Sequence, residues 1–188
     1  MDSLDVEIRE LRSITRQNFV DMGNGYTSIA KYAVRRTETV GLTIIEIELV
    51  PLEKPYVRVW PCSQQDIERM SNLLNHGMSL GAFEGDRLVG VAIAGPRKWN
   101  NTLWVDTIQV DANYRNRGIG SQLCRRIESI ARCNGFRIIG LEAQNTNAPA
   151  VAFYTKMGFI LDGLDVSFYS NNESLGDEIA FFMKKRLS

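Results

Sequence analysis

The chain has 188 residues, enough for one domain with a proper core and short for two. Lys+Arg and Asp+Glu balance at 22 each, so no global field draws the protein to nucleic acid or to a membrane surface, and any charge recognition must be local. No apolar run reaches the roughly 18 residues of a membrane span, and Met1–Glu7 lacks a basic then apolar leader, so no signal peptide is expected.

Residues 1–60 are the hardest third to read. Ile8 opens a charged segment, and Met22-Gly-Asn-Gly-Tyr26 is a turn cluster. Residues 26–34 and 41–50 (GLTIIEIELV) read as strands. In the second, Ile45, Ile47 and Leu49 alternate with Glu46 and Glu48, which leaves one face wet, and Pro51 and Pro55 should break it. Residues 62–77 hold a helix: Ser63 is the expected cap with Asp66 three residues on, and Ile67, Met70, Leu73 and Leu74 line one face. A hairpin follows, 79–84 and 87–95, turning at Glu84-Gly85-Asp86. Its second arm, LVGVAIAG, is nearly all apolar and should be central in a sheet.

After a polar turn at 96–101 comes the stretch around which the chain is organised. Residues 103–110 are a strand rich in β-branched and aromatic side chains. A polar turn from Asp111 leads to a helix in which Ile119, Leu123, Ile127, Ile130 and Ala131 recur at helical spacing, with Gly135 as its stop. Such a strand–turn–helix points backbone N–H groups and the positive end of a helix dipole at one spot, which suits a phosphate. Gly118 and Gly120 remove the Cβ atoms that would block close approach. A Walker A loop needs Gly-Lys-Ser/Thr where this chain has Gly118-Ile119-Gly120-Ser121, and a dinucleotide fingerprint needs a small residue where Leu123 stands. On this motif alone, a Gly-rich turn without a ligand is as good a reading as a phosphate site.

Residues 136–143 read as a strand parallel to 103–110, joined by a right-handed crossover. Pro149 suits the first turn of a short helix that Gly158 ends. Residues 159–161, 166–170 and 179–184 are further strands, the last two expected to close the sheet as an antiparallel pair. The class is α/β, with a mixed, mainly antiparallel sheet, in a single domain over residues 1–188.

Two motifs carry a family resemblance. Arg115-x-x-Gly118-x-Gly120, after Ile108-Gln109-Val110, resembles the pyrophosphate loop of the GNAT acetyl-CoA-dependent N-acetyltransferases. Asn147-x-x-Ala150-x-x-Phe153-Tyr154-x-Lys156-x-Gly158-Phe159 resembles the second hallmark of that fold, and the two stand in the family's order. The resemblance implies that the parallel strands splay at their C-terminal ends and admit the pantetheine arm of acetyl-CoA. Ile108 and Val110 would then offer main-chain groups to it. Arg115, Arg117, Gly118, Gly120 and Ser121 would hold the pyrophosphate, and Asn147 would touch the cofactor from the side. Tyr154 matches the family's general acid. Glu142 matches the proton acceptor of the ribosomal-protein N-terminal acetyltransferases, and Asp106 is the competing base or ammonium anchor.

Within the family, LEAQNTNAPAVAFYTKMGFILDGLDVSFYSN with the later DEIAFFMKK is most similar to the streptothricin acetyltransferases, which implies a small cationic amine as acceptor. Asp106, Glu142, Asp162, Asp165 and Glu178 are carboxylates that would attract it. A peptide or protein N-terminal acetyltransferase is the alternative enzyme, and a non-catalytic acetyl-CoA-binding module the alternative of another class. Cys62, Cys124 and Cys133 form no CxxC and no even framework, which favours a reducing cytoplasm. His76 has no ligand partner at metal spacing, so no metal is assigned. A monomer or a homodimer is expected.

Overall fold

The computed structural model describes residues 6–169 and 178–187. In chain order the elements begin with β1 (Val6–Glu10), α1 (Arg16–Met22), β2 (Gly25–Thr39), β3 (Leu42–Val59) and α2 (Gln64–Leu74). They continue with β4 (Leu80–Glu84), β5 (Arg87–Arg97), β6 (Thr102–Val110), α3 (Ile119–Cys133) and β7 (Ile138–Gln144). Last come α4 (Ala148–Lys156), β8 (Ile160–Asp165) and β9 (Ala180–Arg186). No helix among the described residues is long and apolar enough to cross a membrane. The chain forms two compact units: one runs to Asn24, then over Trp60–Leu141 and from Lys184, and the other comprises Gly25–Val59 with Glu142–Met183.

In the first unit the strands lie in the order β1-β4-β5-β6-β7. β5 is buried without a break from Leu88 to Gly95, as its lack of polar side chains requires. Leu11, Ile14, Phe19 and Met22 around α1 join Ile67, Met70 and Leu74 of α2 over Val91 and Ile93 of β5. The Ser63 cap holds: its hydroxyl accepts from the Asp66 N–H, and the Asp66 carboxylate accepts from the Ser63 N–H at 3.0 Å. On α3, Ile119, Leu123, Ile127 and Ala131 of the expected stripe are buried, joined by Cys124, while Ile130 at its edge is half-buried. Burial pushes the Cys124 thiol up to about 11, so it packs as a neutral side chain.

The pairing of β6 positions the site. On one side β6 pairs antiparallel with β5 from Thr102 opposite Arg97 to Val110 opposite Gly90, with a register shift that leaves Asp106 between the pairs Val105–Ala94 and Thr107–Ile93. On the other it pairs parallel with β7 only from Thr102–Ile138 to Val105–Leu141. Beyond Val105 that second edge has left the ladder, which is the splay the resemblance implies.

In the second unit β2 and β3 form a long antiparallel ribbon. β3 runs through Pro51 and Pro55, which were expected to end it. The ladder is irregular there, passing from Ser28 opposite Tyr56 to Ala30 opposite Pro51. A ribbon of two strands tolerates proline because each strand has an edge that needs no ladder N–H. Asn145, 1% exposed, is the polar hub of this unit. Its main chain donates to Ile179 O and accepts from Tyr32 N, both at 2.9 Å. Its side chain accepts from Ile179 N at 2.8 Å and donates to Tyr32 O at 2.9 Å. β9 lies beside β8, so the expected closing pair is made with residues 160–165. Val166–Tyr169 is turn and bend, not strand, because Asp165 accepts from Ser167 N at 2.9 Å and turns the chain. Ser170, the end of that expected strand, lies outside the described residues.

Candidate active site

The turn after β6 is fixed at its start by Asp111, whose side chain is buried. The carboxylate accepts from Arg87 Nη2 at 2.7 Å and from Asn113 N at 2.9 Å, and the Asp111 N–H donates to Val89 O at 2.9 Å. Arg115 Nε then donates to Val110 O at 3.1 Å and draws the turn back on the strand. Gly118 takes φ +83°, a left-handed conformation that a Cβ disfavours, and serves as the N-cap of α3.

This cap differs from those of the other α-helices. Thr15 caps α1, Ser63 caps α2 and Asn147 caps α4, each accepting a first-turn N–H through its side chain. Gly118 has no side chain with which to do so. The first-turn amides of α3, including Gly120 and Ser121, therefore carry the positive end of a 15-residue helix with no side-chain acceptor at the cap. Arg115 and Arg117 are exposed beside them, with the Arg117 guanidinium 5.5 Å from the Tyr114 ring. Backbone donors, a glycine at the closest approach and two guanidinium groups fit a pyrophosphate.

The same unit holds Asp106, Ile108 and Val110 on the stretch of β6 beyond its pairing with β7. The Asp106 carboxylate is ion-paired with Arg69 Nη1 and accepts from Thr107 Oγ1 at 3.3 Å. Arg69 also reaches Asp66 at 3.6 Å. Nearby, the Arg97 guanidinium stacks 3.4 Å from the Trp104 ring centre. Ile108 and Val110 are held from one side only, opposite Ala92 and Gly90.

The second unit holds Glu142, Asn147 and Tyr154. Tyr154 is 8% exposed in α4, with its ring edge-on to Phe153 at 5.2 Å and to Phe159 at 5.8 Å. Asn147 Oδ1 accepts from Ala150 N at 3.2 Å, so its first task is to cap α4. The Glu142 carboxylate, half-buried on β7, accepts a hydrogen bond from the Tyr169 phenol. In the same unit Tyr56 donates to Glu178 at 2.8 Å, and Arg58 stands 3.4 Å from that carboxylate. Tyr26 shares a 2.6 Å hydrogen bond with Thr146. Burial, with the Glu178 charge close by, holds the Tyr26 phenol neutral far above its ordinary range. No group of His, Cys, Asp and Glu suited to a metal occurs among the described residues.

Sequence reasoning missed Arg69, Tyr56, Arg58 and Tyr169. Arg69 lies 37 residues from the carboxylate it pairs with, and Tyr56 and Tyr169 lie 122 and 27 residues from theirs. No local pattern in the chain announces such contacts.

The Acetyltransferase (GNAT) family matches this chain over residues 45–159. The streptothricin acetyltransferase of Streptomyces lavendulae is 33% identical over 137 residues, covering 70% of this chain and 71% of that protein. Among solved structures, nourseothricin acetyltransferase superposes with a TM-score of 0.74 at 26% identity, covering 97% of this chain and 99% of the other. A candidate streptothricin acetyltransferase from Bacillus anthracis str. Ames, in complex with acetyl coenzyme A, shares the fold with a TM-score of 0.73 at 24% identity. That match covers 100% of both chains.

Proposed function

The chain belongs to the acetyltransferase (GNAT) family, and from that premise we propose that it moves the acetyl group of acetyl-CoA to a primary amine of a small cationic acceptor of the streptothricin type. One observation carries the reading: a glycine-capped helix with no side-chain acceptor at its N-terminus follows a strand whose second edge leaves the ladder at Val105. The first feature offers donors to a pyrophosphate. The second offers main-chain hydrogen bonds to an extended amide-bearing arm. The relation to streptothricin acetyltransferases supports the acceptor class, and the three free thiols support a cytoplasmic location.

In this reading Arg115, Arg117 and the amides at Gly118, Gly120 and Ser121 bind the pyrophosphate, while Ile108 and Val110 hold the pantetheine arm. Asn147 keeps the first turn of α4 in register and offers its side-chain amide as a donor to the cofactor. The cofactor supplies an acyl thioester, activated toward an amine. The protein manages protons and charge. An alkylammonium with a pKa near about 10.4 must lose a proton before it can attack, and Glu142 is the group that takes it. Main-chain N–H groups of β6 stabilise the negative charge that develops on the acyl oxygen. Tyr154 donates a proton to the departing sulfur. Asp106, ion-paired with Arg69, is the carboxylate that meets the substrate's charge.

Gly120→Asp tests the cofactor half. It places a side chain and a negative charge where phosphate oxygens belong. Acetyl-CoA should raise the melting temperature of the wild type, and the variant should fold but lose that rise. An unchanged rise removes the pyrophosphate assignment.

A further inference from the structure

We propose that Tyr169 is a positioning residue for Glu142: its phenol donates to the Glu142 carboxylate and holds it in the orientation and ionised form that accept the acceptor's proton. The proposal rests on the base role given to Glu142 above.

Three observations carry it. Glu142 follows directly on the paired stretch Ile138–Leu141 of β7, so the parallel ladder to β6 ends one residue before it. A glutamate has three rotatable bonds, and a carboxylate that must meet a proton in one geometry needs something to hold it. Tyr169 supplies that hold from the turn after β8. Its own place is fixed by packing: Phe168 lies edge-on to the Tyr169 ring at 5.2 Å and to Phe182 at 5.6 Å.

Among the described residues, the charged and titratable groups around the phenol are Glu142 on β7, Glu178 ahead of β9 and Tyr26 on β2, and Glu178 is itself held by Tyr56 and Arg58. Burial first, then the negative charge and the hydrogen bond of Glu142, keep the Tyr169 phenol protonated well above the ordinary tyrosine range. Tyr169 is therefore a permanent donor rather than a second acid or base. A donor to a carboxylate favours its charged form, which is the form a base needs.

Tyr169→Phe keeps the ring and removes the donor. It should lower kcat about tenfold and move the acid limb of kcat/KM to higher pH by about one unit, because a carboxylate without that hydrogen bond binds its proton more tightly. The acetyl-CoA thermal shift should stay at the wild-type value, which also reports that the variant folds. Introduced into Glu142→Gln, the same change should cost nothing further, since Tyr169 acts through the group already removed. An equal loss in both backgrounds, or an acid limb that does not move, overturns the proposal. If Glu142→Gln is silent while the wild type still releases thiol from acetyl-CoA, the Glu142 assignment falls and this proposal with it, and acetyl transfer stands. A wild type that releases no thiol with any amine overturns both.

Discussion

Glu142 and Asp106 are both carboxylates on strands, and their neighbours separate them. Asp106 is salt-bridged to Arg69, which also reaches Asp66, so its carboxylate is already engaged by a guanidinium. Glu142 accepts a hydrogen bond from a neutral phenol, the Tyr169 hydroxyl. Glu142→Gln should therefore depress kcat/KM most at low pH, with partial recovery as rising pH frees the amine. Asp106→Asn should mainly raise the amine KM at every pH. If the pH-dependent loss follows Asp106 instead, the two roles exchange. Tyr154→Phe keeps the edge-on packing against Phe153 and Phe159 while removing the phenol. General acid catalysis is worth about 10²–10⁴-fold, so kcat should fall at least about tenfold with little change in acetyl-CoA affinity. A smaller loss marks Tyr154 as packing only. Tyr154, Gly118 and Gly120 stood out as candidates in the sequence because each sits at fixed spacing within a short motif. Arg69 and Tyr169 were not, because the fold brings them to their carboxylates from separate elements.

Elements with a clean period were read well, and those whose stability comes from distant partners were not. β5 is apolar between its terminal arginines and α3 carries one apolar stripe, and both stand where the sequence put them. α1 was read only as part of a charged stretch. It is seven residues long, and its capping box closes through Asn18 rather than a glutamate, so its start signal is muted. The ribbon of β2 and β3 was cut short at its prolines because nothing in the sequence says that a strand has a spare edge. Asn145 is the same lesson in one residue: the sequence singles it out for nothing, yet it ties β2, β7 and the approach to β9 by main-chain and side-chain hydrogen bonds. Asn145→Ala leaves the part-buried Tyr32 carbonyl and the Ile179 N–H each short of a partner. At about 1–3 kcal/mol for each stranded group, the unfolding free energy in urea should fall by about 2–4 kcal/mol. A loss under about 1 kcal/mol would show that water or a shifted chain replaces the side chain.

On the scale of the whole molecule, the balance of 22 basic and 22 acidic residues means that attraction of a cationic acceptor must come from local carboxylates. Exposed charges are screened beyond about 10 Å in about 0.1 M salt, so the KM for a polycationic amine should climb with ionic strength more than that for a peptide amine on a neutral chain. The most direct test of the central claim is thiol release from acetyl-CoA by the wild-type protein with streptothricin, polyamines, aminoglycosides and N-terminal peptides offered in turn. Acetyl transfer to a small cationic amine predicts turnover with streptothricin and little with the peptides. Turnover with peptides and none with streptothricin would contradict the acceptor assignment and make the protein a peptide N-terminal acetyltransferase.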